Sequence, residues 1–279
     1  MADEGPSPSP RPKTWMLVGT ALVVAAAATA VGVWLGTGGP ASAGTPATAR
    51  QLVRSSLADA RAAGSFHYVS SSTSSSATTS KVSQVTNGDA ASDSGRQVIT
   101  LSGDTFDVVV SGTTAYFRGD AAAMVVNLGI PIRVAEAHAG QWIALVPGEA
   151  PYRSVEVAVT TASALEQNIT FSALQDLGST RVDGRQTTAI EGRMSPVDGQ
   201  PARGAATLYV STSRHPLPVR YVERGTVGSG SSVSRLSFSI TFSQWREHVG
   251  VTAPAGATPF SSLGVSGGPP SSPGPTILT

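Results

Sequence analysis

An α+β domain built on an antiparallel sheet is what residues 49–256 predict, and three observations carry that expectation. Leu236, Phe238, Ile240 and Phe242 alternate with Ser237, Ser239, Thr241 and Ser243. A period of two gives a strand one apolar face and one wet face, as in an antiparallel sheet covered on one side. Turn-forming pairs, among them Asn87-Gly88 and Asp183-Gly184, punctuate short β-branched runs at hairpin spacing. Helical patterns stand before and between the hairpins instead of after every strand, so they supply a cover for the apolar face.

In order along the chain, ARQLVRSSLADARAAGSF brings Leu52, Leu57 and Ala60 near helical spacing, with Gly64 as a stop. A Ser/Thr-rich stretch follows, with alternating Val82 and Val85 and a hairpin turn expected at Asn87-Gly88. Strands are expected over Arg96–Leu101 and Thr105–Val110, and Ser111-Gly112 leads tightly into Thr114–Arg118. Asp120 is a good N-cap for AAAMVVNL, which Gly129 ends, and Pro131 opens a second short helix closed by Gly140. Trp142–Leu145 returns as strand. Residues 150–167 carry both Val/Thr and an ASALEQ end, and their length favours helix over strand. The last third is a run of strands: Arg181–Val182 and Gln186–Gly192 about Asp183-Gly184, then Gly204–Val210, Leu217–Arg224 and Ser232–Trp245.

Ahead of this domain, Trp15–Leu35 holds 21 residues without a charge. A helix of that length is roughly 30 Å long, enough to cross a bilayer, and Trp15 and Trp34 stand where indoles favour the headgroup layers. Arg11 and Lys13 precede it, which places residues 1–14 in the cytoplasm and the domain outside. A cleaved signal is the competing reading, since Ala41-Ser42-Ala43 offers a cleavage site and a protein secreted after cleavage near Ala43; the 21-residue length favours a retained anchor. Residues 1–14, 36–48 and 257–279 are rich in Pro, Gly, Ser and Thr and read as a cytoplasmic tail, a linker and a C-terminal tail without regular structure.

Composition excludes several function classes. The chain has 279 residues, 19 basic and 18 acidic side chains and no cysteine. So balanced a charge argues against nucleic acid as a partner, and the missing cysteine removes disulfides, thiolate metal sites and a Cys nucleophile. His67, His138, His215 and His248 stand far apart, without metal-ligand spacing. Gly264-Val265-Ser266-Gly267-Gly268 matches a nucleophile elbow only formally, because it lies in the expected tail. Arg118-Gly119-Asp120 reads as a strand end plus a helix cap. No phosphate loop or dinucleotide fingerprint is present, so neither a catalytic residue, nor a cofactor, nor a metal is expected.

The distinctive feature is apolar. Phe117, Met124, Leu128, Trp142, Leu208, Leu236, Phe238, Ile240 and Phe242 are the candidates to line a cavity for a lipid or other hydrophobic ligand, with Tyr209 and Trp245 as neighbours on one sheet face. The same side chains could fill a solid core, which would make the domain an envelope structural or protein-interaction module. Patterning alone does not separate the two, and it names no protein partner.

A family likeness bears on that choice. TLYVSTSRHPLPVRYVERG (207–225) and SFSITFSQWREHVGVTAPAGA (237–257) resemble the end of the LppX/LprA/LprF/LprG group of mycobacterial envelope proteins, themselves similar in fold to the lipoprotein carriers LolA and LolB. The shared pattern is a strand at Leu217-Pro218, a strand ending Phe242-Ser243-Gln244-Trp245, and a short run into Ala253-Pro254. AYFRGDAAAMVVNLGIP (115–131) and AGQWIALVPGEAPY (139–152) agree in order. The resemblance implies an actinobacterial envelope protein with a strongly curved antiparallel sheet, a half-barrel with helices on its concave side, enclosing acyl chains and performing no catalysis. Members of that group usually carry a lipidated cysteine after the signal. Here residues 15–35 would anchor the domain to the cytoplasmic membrane instead.

Overall fold

The computed structural model describes residues 45–76, 81–156, 159–197, 200–230 and 233–265. The expected membrane helix and the cleavage site near Ala43 lie outside them. No helix among the described residues is long and apolar enough to cross a membrane.

One twelve-stranded sheet organises the domain. Helix α1 (Pro46–Ala63) opens it, capped by the Thr45 hydroxyl, which accepts from the Thr48 N–H, and stopped by Gly64 in the left-handed conformation. Strands β1 (Ser65–Ser76), β2 (Val82–Ala91), β3 (Ser94–Leu101), β4 (Asp104–Ser111) and β5 (Thr114–Arg118) follow as a meander. Helices α2 (Ala121–Leu128) and α3 (Ile132–His138) then precede β6 (Ile143–Leu145). Two short helices, α4 (Tyr152–Glu156) and α5 (Thr161–Asn168), lead to β7 (Phe171–Val182), β8 (Arg185–Met194), β9 (Ala202–Ser211), β10 (Pro218–Val227) and β11 (Ser234–Ser243). The spatial order β12-β6-β5-β4-β3-β2-β1-β11-β10-β9-β8-β7 is antiparallel except for β12 (Thr258–Pro259), which runs parallel to β6.

The expected α+β class with an antiparallel sheet therefore holds. The sheet is open, with β7 and β12 as its edges. Edge β7 is mostly exposed and bulged twice, with Ala173 and Gly178 at positive φ, a device that spoils edge-to-edge pairing.

Local signals placed several elements well. The Asp120 carboxylate accepts from the Ala123 N–H at 2.7 Å, and Gly129 closes α2 in the left-handed conformation. Asp183 and Gly184 both take positive φ in the two-residue turn between β7 and β8.

Three expectations are corrected. Asn87-Gly88 is no turn: it lies inside β2, with Gly88 opposite Tyr68 on one side and Gln97 on the other. A Cβ at Gly88 would lie 2.5 Å from the Tyr68 ring, so the glycine is there to let that ring cross the strand. Residues 150–167 form two helices, because Thr160 pairs with Ala91 in a β-bridge between them. The region from 257 onward is structured at its start, where β12 pairs with β6 and a 3₁₀ turn over Phe260–Leu263 buries Phe260 and Leu263. Apolar side chains outweighed the flexible composition there.

The sheet's inner face carries two apolar clusters. The first joins Ala49, Val53 and Ala60 of α1 and Leu165 of α5 to Phe66, Ile190, Leu208, Tyr221, Phe238, Ile240 and Phe242. The second joins Phe106, Val108, Phe117, Ile143 and Leu145 of the sheet to Met124, Leu128, Val155 and Phe260.

Candidate functional site

Strands β1 to β3 join these clusters, and beside Phe66, Ala90 and Ile99 they turn a set of polar side chains inward. Alternation buries Phe66, Tyr68, Ser70 and Ser72 of β1, while Val69 faces outward and His67, Ser71 and Thr73 are only half-buried. On β2 the inward set is Gln84, Thr86, Gly88 and Ala90, and on β3 it is Gln97 and Ile99. Register sets Ser72 opposite Gln84, Ser70 opposite Thr86, and Gly88 between Tyr68 and Gln97. Ser70, Ser72, Gln84, Thr86 and Gln97 form a seam with Tyr68 that runs about 14 Å along β1 from Tyr68 to Ser72.

Part of the seam is internally satisfied. The Tyr68 hydroxyl donates to Gln97 Oε1 at 2.8 Å, and Gln84 Nε2 donates to Thr86 Oγ1 at 3.3 Å. Burial first, then the Asp89 charge, pushes the Tyr68 phenol well above its ordinary range, so it stays a neutral donor. Among the described residues, three buried side-chain atoms have no protein hydrogen-bond partner: Gln97 Nε2, Ser72 Oγ, and Ser56 Oγ on the buried side of α1. Gln97 is 4% exposed and the two serines 0%, so bulk water does not reach them. Each buried polar group left unmatched costs about 1–3 kcal/mol.

One row further along the sheet, Ser72 is followed by Phe238 and then Glu223. The Tyr221 hydroxyl shares its single proton between Glu223 Oε1 and the Thr170 carbonyl. Burial raises the Glu223 carboxyl above the usual range, and the Tyr221 hydrogen bond offsets this only in part.

The sequence-derived candidates divide between the clusters. Leu208, Phe238, Ile240 and Phe242 are buried in the first, and Leu236 is partly buried against it. Phe117, Met124 and Leu128 are buried in the second. Trp142 belongs to neither: it is half-buried beneath the Arg118 guanidinium, 4.7 Å from its ring centre, a cation–π contact. Tyr209 alternates with inward Leu208 and so faces the other side, whereas Trp245 packs on the first cluster. Sequence reading missed Ser70, Ser72, Gln84 and Gln97. The parity that puts Phe66 and Tyr68 inward does the same for Ser70 and Ser72, but serines carry no hydropathy signal of their own.

On the outward face three titratable groups converge on neighbouring strands. His67 Nδ1 meets Asp89 Oδ1 at 2.8 Å, and Arg96 Nε donates to Asp89 Oδ2 at 2.7 Å. Burial pushes the Asp89 carboxyl up, but the hydrogen bonds and charges of His67 and Arg96 outweigh it and hold the group below its ordinary value. Register places Ser243 across from His67. A nucleophile would also need donors aimed at an oxyanion. Here both neighbouring strands engage β1 in ladder pairing, and the row lies away from both apolar clusters. Among the described residues no group of three His, Asp or Glu side chains could hold a metal ion.

Comparison with known proteins adds similarities of fold only. No family model matches the sequence, and neither does any curated protein. Among solved structures the chain is similar to MucB in its complex with periplasmic MucA, at 17% identity over 78% of this chain and 60% of that one, with a TM-score of 0.32. A Pseudomonas aeruginosa MucA/MucB complex matches at 13% identity, 78% and 61% coverage and a TM-score of 0.33. A LolA superfamily protein, NE2245 from Nitrosomonas europaea, matches at 9% identity, 70% and 91% coverage and a TM-score of 0.26. The chain thus spans about three-fifths of the MucB chains it matches.

Proposed function

We infer that this is a membrane-anchored exported protein that binds or transfers a lipid or other hydrophobic ligand beneath its sheet, without catalysis. The observation that carries the reading is the inner face itself: two apolar clusters flank buried hydrogen-bonding atoms that the protein leaves unpartnered. Apolar residues of equal size would remove the cost of such atoms, so their presence favours an occupant that partners them. In this reading the sheet is the curved half-barrel of LppX-type proteins, the helices lie on its concave side, and residues 15–35 replace the lipidated cysteine. Affinity comes from apolar burial at about 0.8 kcal/mol per methylene, so it rises with chain length. Native extraction of the full chain followed by mass spectrometry tests it. Co-purifying acyl species are the expected result, and a ligand-free protein that binds no added lipid refutes it.

One observation favours a second reading, an envelope interaction module. Val69, Val85 and Val98 are exposed on neighbouring strands of the outward face, with Val69 and Val98 on either side of Asn87. Crosslinking from a photoreactive group at Val85 distinguishes this reading by yielding a single protein partner in place of lipid.

A further inference from the structure

We propose that one corner of the sheet's outward face docks onto an anionic lipid bilayer through Lys81, Arg193, Arg203, Arg224 and Arg235, which gather there without acidic partners. The inference rests on the reading of residues 15–35 as an anchor and adds to it how the domain is turned toward the membrane.

Register builds the patch. Arg203 and Arg235 flank Thr226 in one row across β9, β10 and β11, and Arg193 and Arg224 flank Ala205 in the next row across β8, β9 and β10. Strand and residue spacing put these four positions within about 16 Å of one another. Lys81 precedes Val82, the partner of Ser74, and so extends the Arg203–Arg235 row beyond Ser75. All five side chains are exposed, and their strands alternate so that Ala206, Tyr221, Phe238 and Met194 point to the opposite face, where α1 and α5 pack. No helix therefore covers the patch.

Charge sets this corner apart. Elsewhere on the outward face Arg96, Arg118 and Arg220 are paired with Asp89, Asp107 and Asp183. Among the described residues no carboxylate lies within ion-pair distance of the five cations. The acidic neighbour on the same face is Glu191, two residues from Arg193 and opposite Thr207, while Asp198 lies outside the described residues. The whole chain carries a net charge of only +1, so the patch is a local concentration that repels itself until an anionic surface meets it.

Two observations favour a bilayer over a soluble polyanion. Val233 is exposed at the entry to β11, and Ala202, Val227 and Leu236, at the same strand ends, are partly buried members of the first apolar cluster. Arginines beside apolar side chains suit the headgroup boundary, whereas a soluble polyanion would use the charges alone. Residues 36–44, between the expected anchor and Thr45, reach at most about 30 Å when extended, which keeps the domain beside the membrane.

The chain has no cysteine, so Val233→Cys takes a single nitrobenzoxadiazole label, which dithionite reduces only from water. The labelled full chain is placed in nanodiscs of phosphatidylcholine, alone or mixed with phosphatidylglycerol. Reduction is expected to be at least about tenfold slower beside phosphatidylglycerol, since each cation near such a surface contributes about fivefold, and about 1 M salt should remove the difference. A label at Thr212→Cys, at the other end of β9, should react at one rate in both. Arg203→Gln combined with Arg235→Gln, both exposed and unpaired, should bring the Val233 label to within about twofold of its rate in phosphatidylcholine. Equal rates in the two nanodiscs overturn the proposal, as does slowing that survives the arginine substitutions. Binding to soluble dextran sulfate without protection by phosphatidylglycerol also overturns it. A chain that does not co-elute with phosphatidylcholine nanodiscs refutes the anchor. Docking then stands if phosphatidylglycerol nanodiscs retain the chain through Arg203 and Arg235, and falls if they do not.

Discussion

The two halves of the sheet are joined by contacts of different range. In the half built from β1 and β7–β11, the Ser65 hydroxyl donates to the Glu247 carbonyl 182 residues away, and β1 pairs along its length with β11. Its centre is aromatic: the Phe66 ring stands 5.8 Å from Tyr68, 5.4 Å from Phe242 and 4.8 Å from Trp245. In the half built from β3–β6, as within β7–β11, neighbours in space are neighbours in sequence, and aliphatic side chains dominate apart from the Phe106–Phe117 stack, Tyr152 and Phe260. β12 and its 3₁₀ turn come from afar to close that half, as do Val155 and Val159. Both halves are thus meanders, and what sets the first apart is the long pairing of β1 with β11, which joins the two ends of the domain along a whole strand, where β12 adds only two residues to β6.

The largest expected effect tests whether the half joined by β1 and β11 controls the whole. Phe66→Ala removes a fully buried ring and should lower stability by about 3–5 kcal/mol in urea unfolding, in one transition because β2 and β1 tie the halves together. Two separate transitions would show that the β3–β6 half stands alone. Gly88→Ala comes next. The new methyl group must displace the Tyr68 ring and break its bond to Gln97, a loss of about 1–3 kcal/mol by thermal denaturation. An unchanged melting temperature would mean that the ring moves freely.

Smaller effects sharpen the comparison. Asp120→Ala removes the α2 cap and should cost about 1 kcal/mol, with faster amide exchange confined to α2 and its neighbours. Exchange that also quickens in β9 and β10 would contradict the local character of that half. The pH dependence should differ between inner and outer faces. Glu223 has a raised folded value, so its contribution is present below its ordinary value of 4.5 and is lost as pH rises through the higher folded one. Glu223→Gln should accordingly raise the urea midpoint at neutral pH relative to the unaltered chain and converge with it in acid. Asp89 has a lowered folded value, so its contribution is present above its ordinary value of 3.8 and is lost as pH falls through the folded one. Asp89→Asn should be destabilised at pH 7, with the difference closing in acid; parallel pH profiles for the two variants would sink the assignment.

How far the sequence was legible follows the same division. Asp120, Gly129, Gly64 and Asp183-Gly184 act within a turn of their own position, so α2, the end of α1 and the β7–β8 hairpin could be placed from neighbours alone. Asn87-Gly88 carries the same kind of local signal and misled, because Tyr68 from another strand needed the space above the glycine. Phe260 and Leu263 were hidden by the flexible composition around them until β6 supplied a partner. Leu236, Phe238, Ile240 and Phe242 were found because their alternation survives without a partner strand, whereas Trp142 was misplaced because an aromatic ring near a strand start serves equally well on Arg118 outside.

By itself the sequence determined the class of the domain, the inward side of β11 and the caps of its short helices, since hydropathy period and backbone preference act over a few residues. Only the tertiary structure decided that β1 lies beside β11 and that Ser72 and Gln97 are sealed among apolar clusters. Whether a serine is wet or buried depends on what packs above it, and that is settled by chain segments more than a hundred residues apart.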